Sequence, residues 1–240
     1  MALPLDIPAN KSKIAHPPHP YYPLEVEITG YLANEWSVPA LLGAFSTGCA
    51  VIFGMTYIII RRVQPRMPVH EVLTVMWFVL SGSIHLFFEG YYALNQARMG
   101  ELQTLFGQLW KEYALSDSRY LTQNAFVLCM ESMTAICWGP LSFVVASMIA
   151  IQHPLRHPLQ AMVSLGQIYG DVLYYATSLF DHYYLGITYS RPEAYYFWGY
   201  YFLMNFFWIV IPGILLYNSV SATGEAFKQV QKLGLSKKTT

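Results

Sequence analysis

Charge is scarce in this chain: the 240 residues hold 14 Lys+Arg and 14 Asp+Glu, 12% in all, where soluble domains carry about 25%. The two signs cancel, and no basic run is long enough to neutralise a row of phosphates, which excludes nucleic acid as a partner. Cysteine is almost as rare. Cys49, Cys129 and Cys137 fall in apolar stretches at irregular spacing, which gives neither a disulfide framework nor a zinc pattern. No glycine fingerprint for dinucleotides or phosphates is present and no period of about 20–50 residues repeats. The reading therefore includes no cofactor and no metal. The proline-rich start, MALPLDIPANKSKIAHPPHPYYP, lacks the apolar core of a cleaved signal peptide, so the first internal span is expected to direct insertion.

Apolar residues fill the space that charge leaves, at 55% hydrophobic with a mean hydropathy of +0.33. Five stretches reach the roughly 20 residues that a membrane-crossing helix needs: 38–60, 70–95, 122–151, 159–180 and 194–220. The expected fold is all-α, a polytopic membrane protein with five transmembrane helices around an intramembrane ligand cavity. A proline-rich N-terminal segment (1–37) precedes the helical domain (38–220), and a basic tail (221–240) follows it. Prolines in RRVQPRMP and QHPLRHP stop the helices on either side.

With five spans the termini lie on opposite sides, and basic residues choose the cytosolic one. Arg61, Arg62, Arg66, Arg156, Lys228, Lys232, Lys237 and Lys238 share one side; the other holds Lys11, Lys13, Arg98, Lys111, Arg119 and Arg191. The balance favours a cytosolic C-terminus and a lumenal N-terminal segment. The closing Lys237-Lys238-Thr239-Thr240 resembles a dilysine endoplasmic-reticulum retrieval signal, which is read in the cytosol.

Against this background a few ionisable groups stand out. His85 and Glu89 lie inside VLTVMWFVLSGSIHLFFEGYYAL and Glu131 inside NAFVLCMESMTAICWGPLSFVVASMIAI, where an ionisable side chain costs about 2.5–3.5 kcal/mol on insertion scales. At 1.5 Å of rise per residue, His85 and Glu131 both come out about 13–15 Å deep. Asn205 and Asp171 fall near the same layer from two further helices. Helical spacing pairs His85 with Glu89, Glu131 with Thr134, Asn205 with Trp208 and Gln167 with Asp171 on common faces. Plainer readings stand beside these. His85 and Glu89 can be a satisfied hydrogen-bond pair, Asp171 beside Tyr174 a structural group, and Trp138 and Trp208 packing aromatics. Glu131 resists such a reading, because a carboxyl far from any lysine or arginine needs protonation or an imidazolium partner. An acid and an imidazole in apolar surroundings suit proton movement on an uncharged lipid, and a tryptophan face suits a transient cation.

The words IHLFFEG (84–90), LWKEYALSDSRY (109–120), CMESMT (129–134), WGPLS (138–142), QHPLR (152–156), GQIYGDVLY (166–174) and MNFFWIVIPG (204–213), with HPYYP at 19–23, resemble the emopamil-binding protein family. These are sterol Δ8–Δ7 isomerases of the endoplasmic reticulum with the EXPERA-type five-helix fold, shared with the sigma-2 receptor. By position, the family's catalytic histidine and glutamate fall on His85 and Glu131, its second acid on Glu89, and its last-helix asparagine and tryptophan on Asn205 and Trp208. The resemblance implies a sterol substrate, cationic amphiphilic amines as ligands and a homodimer. The implied chemistry adds a proton at C9 of a Δ8-sterol and removes one from C7. His85 and Glu131 would handle the protons, Glu89 would fix the imidazole tautomer, Asn205 would orient the pair, and Trp208 would face the cation. Thr134 is assigned to the same substrate layer, and Asp171, Tyr174 and Trp138 are candidate pocket residues. Rival readings are a non-catalytic sterol and amine receptor of the sigma-2 type, and a proton or ion pathway.

Overall fold

A computed structural model describes residues 19–236, and among these all regular structure is helical. The principal helices are α1 (Val38–Val63), α2 (Val69–Glu101), α3 (Leu105–Tyr113), α4 (Ala125–Ala150), α5 (Arg156–Phe180) and α6 (Tyr196–Gly234). Four of these, α1, α2, α4 and α6, are long and apolar enough to cross a membrane. The expected fourth span corresponds to α5, whose 25 residues amount to about 37 Å, but whose composition is less apolar. Gln160, Ser164, Gln167 and Asp171 follow one another at i, i+4, i+7 and i+11 and are all buried. A helix that turns a polar stripe towards its neighbours lowers its own hydropathy without exposing anything polar to lipid. α6 runs on through the first part of the segment read as a tail, while Lys237 and Lys238 lie outside the described residues.

The pairs α5–α6 and α2–α4 make the broadest contacts, and α1 lies against α2 and α3. At the end of the bundle away from α3, Ile60, Val72, Val75, Phe78, Val145, Ile149, Val163 and Leu215 form an aliphatic core. Arg156 there reaches Glu71 at 2.7 Å and ties the start of α5 to the start of α2. The α3 end is aromatic instead, built from Tyr21, Tyr92, Trp110, Tyr120, Tyr174, Tyr196 and Tyr201. Trp110 stacks on Phe88 at 4.5 Å and on Tyr120 at 4.8 Å.

Three of the long helices contain π-helical turns: Ile84–Glu89 in α2, Thr134–Trp138 in α4 and Tyr196–Met204 at the start of α6. Pro140 follows the second of them, and its missing N–H interrupts the i→i−4 ladder there. The first two turns meet closely, because a Cβ on Gly139 would lie 3.0 Å from the Leu86 backbone nitrogen. Glycine is what lets the two backbones approach. The wider π turn in α2 also presents the Phe88 carbonyl, which accepts a hydrogen bond from Trp110 Nε1 at 3.0 Å and seats α3 on α2.

The segment before α1 is strapped over α3 by polar contacts. Gln108 Oε1 accepts from the Glu35 and Trp36 amides at 2.9 and 2.8 Å, and Asn34 donates to the Gln108 carbonyl at 2.9 Å. Tyr21 donates to the Lys111 carbonyl, and Ser118 donates to the Tyr22 carbonyl. Lys111 is fully buried and donates from Nζ to the Leu32 carbonyl at 2.8 Å. Desolvation lowers this ammonium from its ordinary 10.5 to about 8, with Glu35 opposing the shift. Between those two values the unfolded chain binds more protons than the folded one, so stability should rise with pH. We expect the strap's backbone amides to gain protection as pH is raised from about 8 towards 9.5. Hydrogen exchange, corrected for intrinsic rate and compared with Lys111→Met, checks this; the variant should show no such gain.

Candidate functional site

The π turn in α2 carries both His85 and Glu89 and points them into the bundle. His85 is 3% exposed and Glu131, arriving from α4, is 4% exposed. His85 Nδ1 lies 2.7 Å from Glu89 Oε2. On the other side of the ring, the Gln167 amide nitrogen stands 3.1 Å from His85 Nε2. With an N–H of Gln167 facing it, Nε2 accepts, so the neutral imidazole carries its proton on Nδ1 and donates it to Glu89. Thr134, where the π turn of α4 begins, donates to Glu89 Oε2 at 2.5 Å, and the Glu131 carbonyl, 2.8 Å from the same hydroxyl, is the alternative acceptor for its one proton. One hydroxyl thus ties the two acid-bearing helices together. Tyr120 donates to Glu131 Oε1 at 2.6 Å, and the two carboxyls are close enough to interact directly.

Beside this layer lies a cavity of about 460 Å³, within the roughly 300–1,000 Å³ usual for small-molecule sites. α1 contributes Leu42, Phe45, Cys49 and Phe53, and α2 contributes Trp77, Leu80, Ile84, Phe88 and Glu89. α3 and the turn after it supply Trp110, Glu112, Tyr113 and Tyr120, α4 supplies Glu131, and α6 supplies Tyr200, Asn205, Phe207, Trp208 and Ile211. The polar lining gathers at the α3 end and in the acid layer. Beyond Trp208 the walls are apolar.

Most of the residues expected from the sequence meet here, though not all in the expected contacts. Glu89, Glu131, Asn205 and Trp208 line the cavity, whereas His85 stands behind them with its ring 4.8 Å from that of Trp208. Asn205 bonds neither His85 nor Glu131; its amide donates to Tyr113 Oη at 2.9 Å and to the Tyr201 carbonyl at 2.6 Å. Asp171, Tyr174 and Trp138 are not among the lining residues. Tyr174 is buried under the Arg119 guanidinium, 4.8 Å from its ring centroid. Trp138 is seated on Gly166, where a Cβ would meet its ring at 2.5 Å. Asp171 is buried one turn along from Gln167, with Oδ2 unpartnered. Tyr113, Tyr120, Glu112 and Gln167 are the groups that sequence reasoning left without a role. The signal for the first three was the run LWKEYALSDSRY, too polar to span and too aromatic for a solvated loop.

These features define a class: a polytopic helical membrane protein whose bundle encloses a small-molecule cavity floored by paired carboxyls. The chain belongs to the EXPERA family, the expanded EBP superfamily, whose sequence pattern matches residues 105–219. It is 38% identical over 207 residues to the 3-beta-hydroxysteroid-Delta(8),Delta(7)-isomerase of Cavia porcellus, covering 85% of this chain and 88% of that protein. The proteins of the same name from Rattus norvegicus and Mus musculus are each 39% identical over 208 residues, with the same coverage.

Proposed function

We propose that this protein is a sterol isomerase that moves the Δ8 double bond to Δ7 by proton addition and removal within the membrane. The observation that carries the reading is the pair of buried carboxyls, Glu89 and Glu131, facing one apolar cavity beside an imidazole and a tryptophan. Relatives named as Δ8,Δ7-isomerases across most of the chain supply the substrate class.

Two neighbouring carboxyls in an apolar setting do not both ionise. Glu89 receives donors from His85 and Thr134, and Glu131 receives one from Tyr120. Glu89 is therefore the better placed to hold the charge, which leaves the proton on Glu131. Glu131 adds that proton to C9 of the C8=C9 bond, and the electron pair leaves C8 as a tertiary cation. Loss of the C7 proton to the Glu89–His85 pair returns an electron pair to form C7=C8. No atom is gained or lost overall, and no redox partner is needed. Trp208 faces the cation, which is worth about 2 kcal/mol or more where water is excluded. Exclusion of water also spares the cation from capture as an alcohol. His85 acts through Glu89, because its ring does not reach the cavity wall.

Turnover of a Δ8-sterol by purified protein in heavy water, without added cofactor, tests this directly. The Δ7 product should carry one deuterium at C9. Unlabelled product would overturn the mechanism, and absence of product would favour a non-catalytic sterol and amine receptor of the sigma-2 type. The same carboxyls suit the ammonium of a cationic amphiphilic amine mimicking the cation, and such amines are expected to compete with sterol. An endoplasmic-reticulum membrane location, a cytosolic C-terminus and a homodimer complete the reading; the first and third rest on family resemblance and the second on the basic residues that flank the spans.

A further inference from the structure

The cavity has two chemically distinct ends, and the mechanism above uses only its middle. Past Asn205 towards α3, the lining holds a third carboxyl, Glu112, which is not part of the acid layer and makes no ion pair within 4.0 Å among the described residues. Glu112 is buried, and its Oε1 accepts a hydrogen bond from Tyr200 Oη at 3.2 Å. Desolvation raises it above the ordinary carboxylate range, while the Tyr200 hydrogen bond and Arg191 act the other way. In the opposite direction, past Trp208, the walls are Phe53, Trp77, Leu80, Phe207 and Ile211, where the unpartnered Trp77 Nε1 is the one side-chain hydrogen-bonding group of the five and no acceptor accompanies it.

We propose that Glu112 and Tyr200 form the subsite for the sterol's 3β-hydroxyl, so that the substrate lies with its hydroxyl at the α3 end and its side chain at the apolar end. This deepens the isomerase reading and rests on it for the identity of the ligand. The carboxyl can accept from an alcohol O–H, and the Tyr200 hydroxyl, which donates to Glu112 here, can turn its one proton to the alcohol oxygen instead, so that the pair complements an alcohol. The spacing also fits. Tyr200 and Asn205 are five residues apart on α6, at most about 7.5 Å along its axis because the π-helical part rises less per residue than an α-helix, and Glu112 adjoins Tyr113, which receives the Asn205 amide. In a sterol the C8–C9 bond is separated from the 3-hydroxyl by the breadth of two fused rings, a comparable length. A hydroxyl anchored at Glu112 therefore places C7, C8 and C9 in the layer of Glu89, Glu131 and Trp208. Shifting the ring system by one helical turn would remove the double bond from both acids. Glu112 and Tyr200 thus select 3-hydroxylated sterols and set their depth.

The test compares a 3β-hydroxy-Δ8-sterol with its 3-deoxy analogue, by equilibrium binding through tryptophan fluorescence and by isomerisation, in protein reconstituted in nanodiscs. Wild type should bind the hydroxylated sterol about tenfold more tightly, the loss expected when a buried hydrogen-bonding group is left unpaired. Glu112→Leu and Tyr200→Phe should each narrow that preference while leaving affinity for the deoxy analogue unchanged. Glu112→Gln, which can still accept, should restore most of it. Equal binding of the two sterols by wild type would overturn the proposal without any variant. So would a Glu112→Leu protein that folds but weakens both ligands alike. Discrimination in binding with no turnover of either sterol would instead support the subsite and refute the isomerase reading, so the two fail separately.

Discussion

Glu131→Gln is expected to lower sterol turnover by about 10²–10⁴-fold, the range general acid catalysis contributes, with little change in KM. The amide keeps the shape of the side chain and can still bond Tyr120, which holds Glu131 at 2.6 Å, but it has no proton to give to an alkene. Glu89→Gln should lose as much for the opposite reason. Its amide can take the hydrogen bond of Thr134, yet it cannot carry the charge that receives a proton or faces a cation. His85→Ala should be similarly inactive through loss of the group behind Glu89. Sterol product analysis together with an unchanged melting temperature separates lost chemistry from lost fold. Full activity in Glu131→Gln would remove it from the reaction altogether.

Asp117→Asn is expected to destabilise the α3 end by about 3–5 kcal/mol, the usual cost of stranding one partner of a buried ion pair. Asp117 and Arg119 are essentially unexposed. Arg119 Nη2 reaches Asp117 Oδ2 at 2.7 Å, and its Nε lies 3.0 Å from both carboxylate oxygens. The remaining guanidinium donors go to Thr177 Oγ1 and the Tyr174 carbonyl of α5, while the plane covers the rings of Tyr174 and Tyr189. Removing the carboxylate leaves a buried cation that no other carboxylate among the described residues reaches. Arg119→Lys should fail too, since an ammonium cannot reproduce the planar fork. Thermal unfolding, with proteolysis near residues 114–124 as the local readout, checks both.

What the sequence reveals here depends on which physical signal each group leaves. His85, Glu89 and Glu131 are legible because charge inside an apolar helix has a cost that composition alone exposes. The long helices α1, α2, α4 and α6 are legible for the same reason in reverse. α5 is less so, since its polar stripe is satisfied only by neighbours that periodicity cannot place. Depth reasoning brings Asn205 to the wall of the same cavity but not to its partner, because Tyr113 arrives from α3, a short helix between spans whose fold-back no local pattern encodes. The π turns are illegible for a further reason. The turn in α4 is marked only by Pro140, and its close approach to the α2 turn at Gly139 and Leu86 is a contact across two helices that no local pattern displays; the extra residue per turn also changes which side chains share a face. Glu112 combines both difficulties, being an ordinary acid in a short polar run until α3 and α6 meet over it.

The buried polar stripe of α5 has a consequence for how the chain is made. With Gln160, Ser164, Gln167 and Asp171 on one side, α5 emerging alone from the insertion machinery would have to present amides and a carboxyl to acyl chains. Its most extensive partner is α6, the next helix to be synthesised, and the acceptor for Gln160 Nε2 is the Leu215 carbonyl of that helix. Pairing with α6 would therefore cover the Gln160 end of that seam as soon as α6 is made, while Gln167 turns back to His85 of the already synthesised α2.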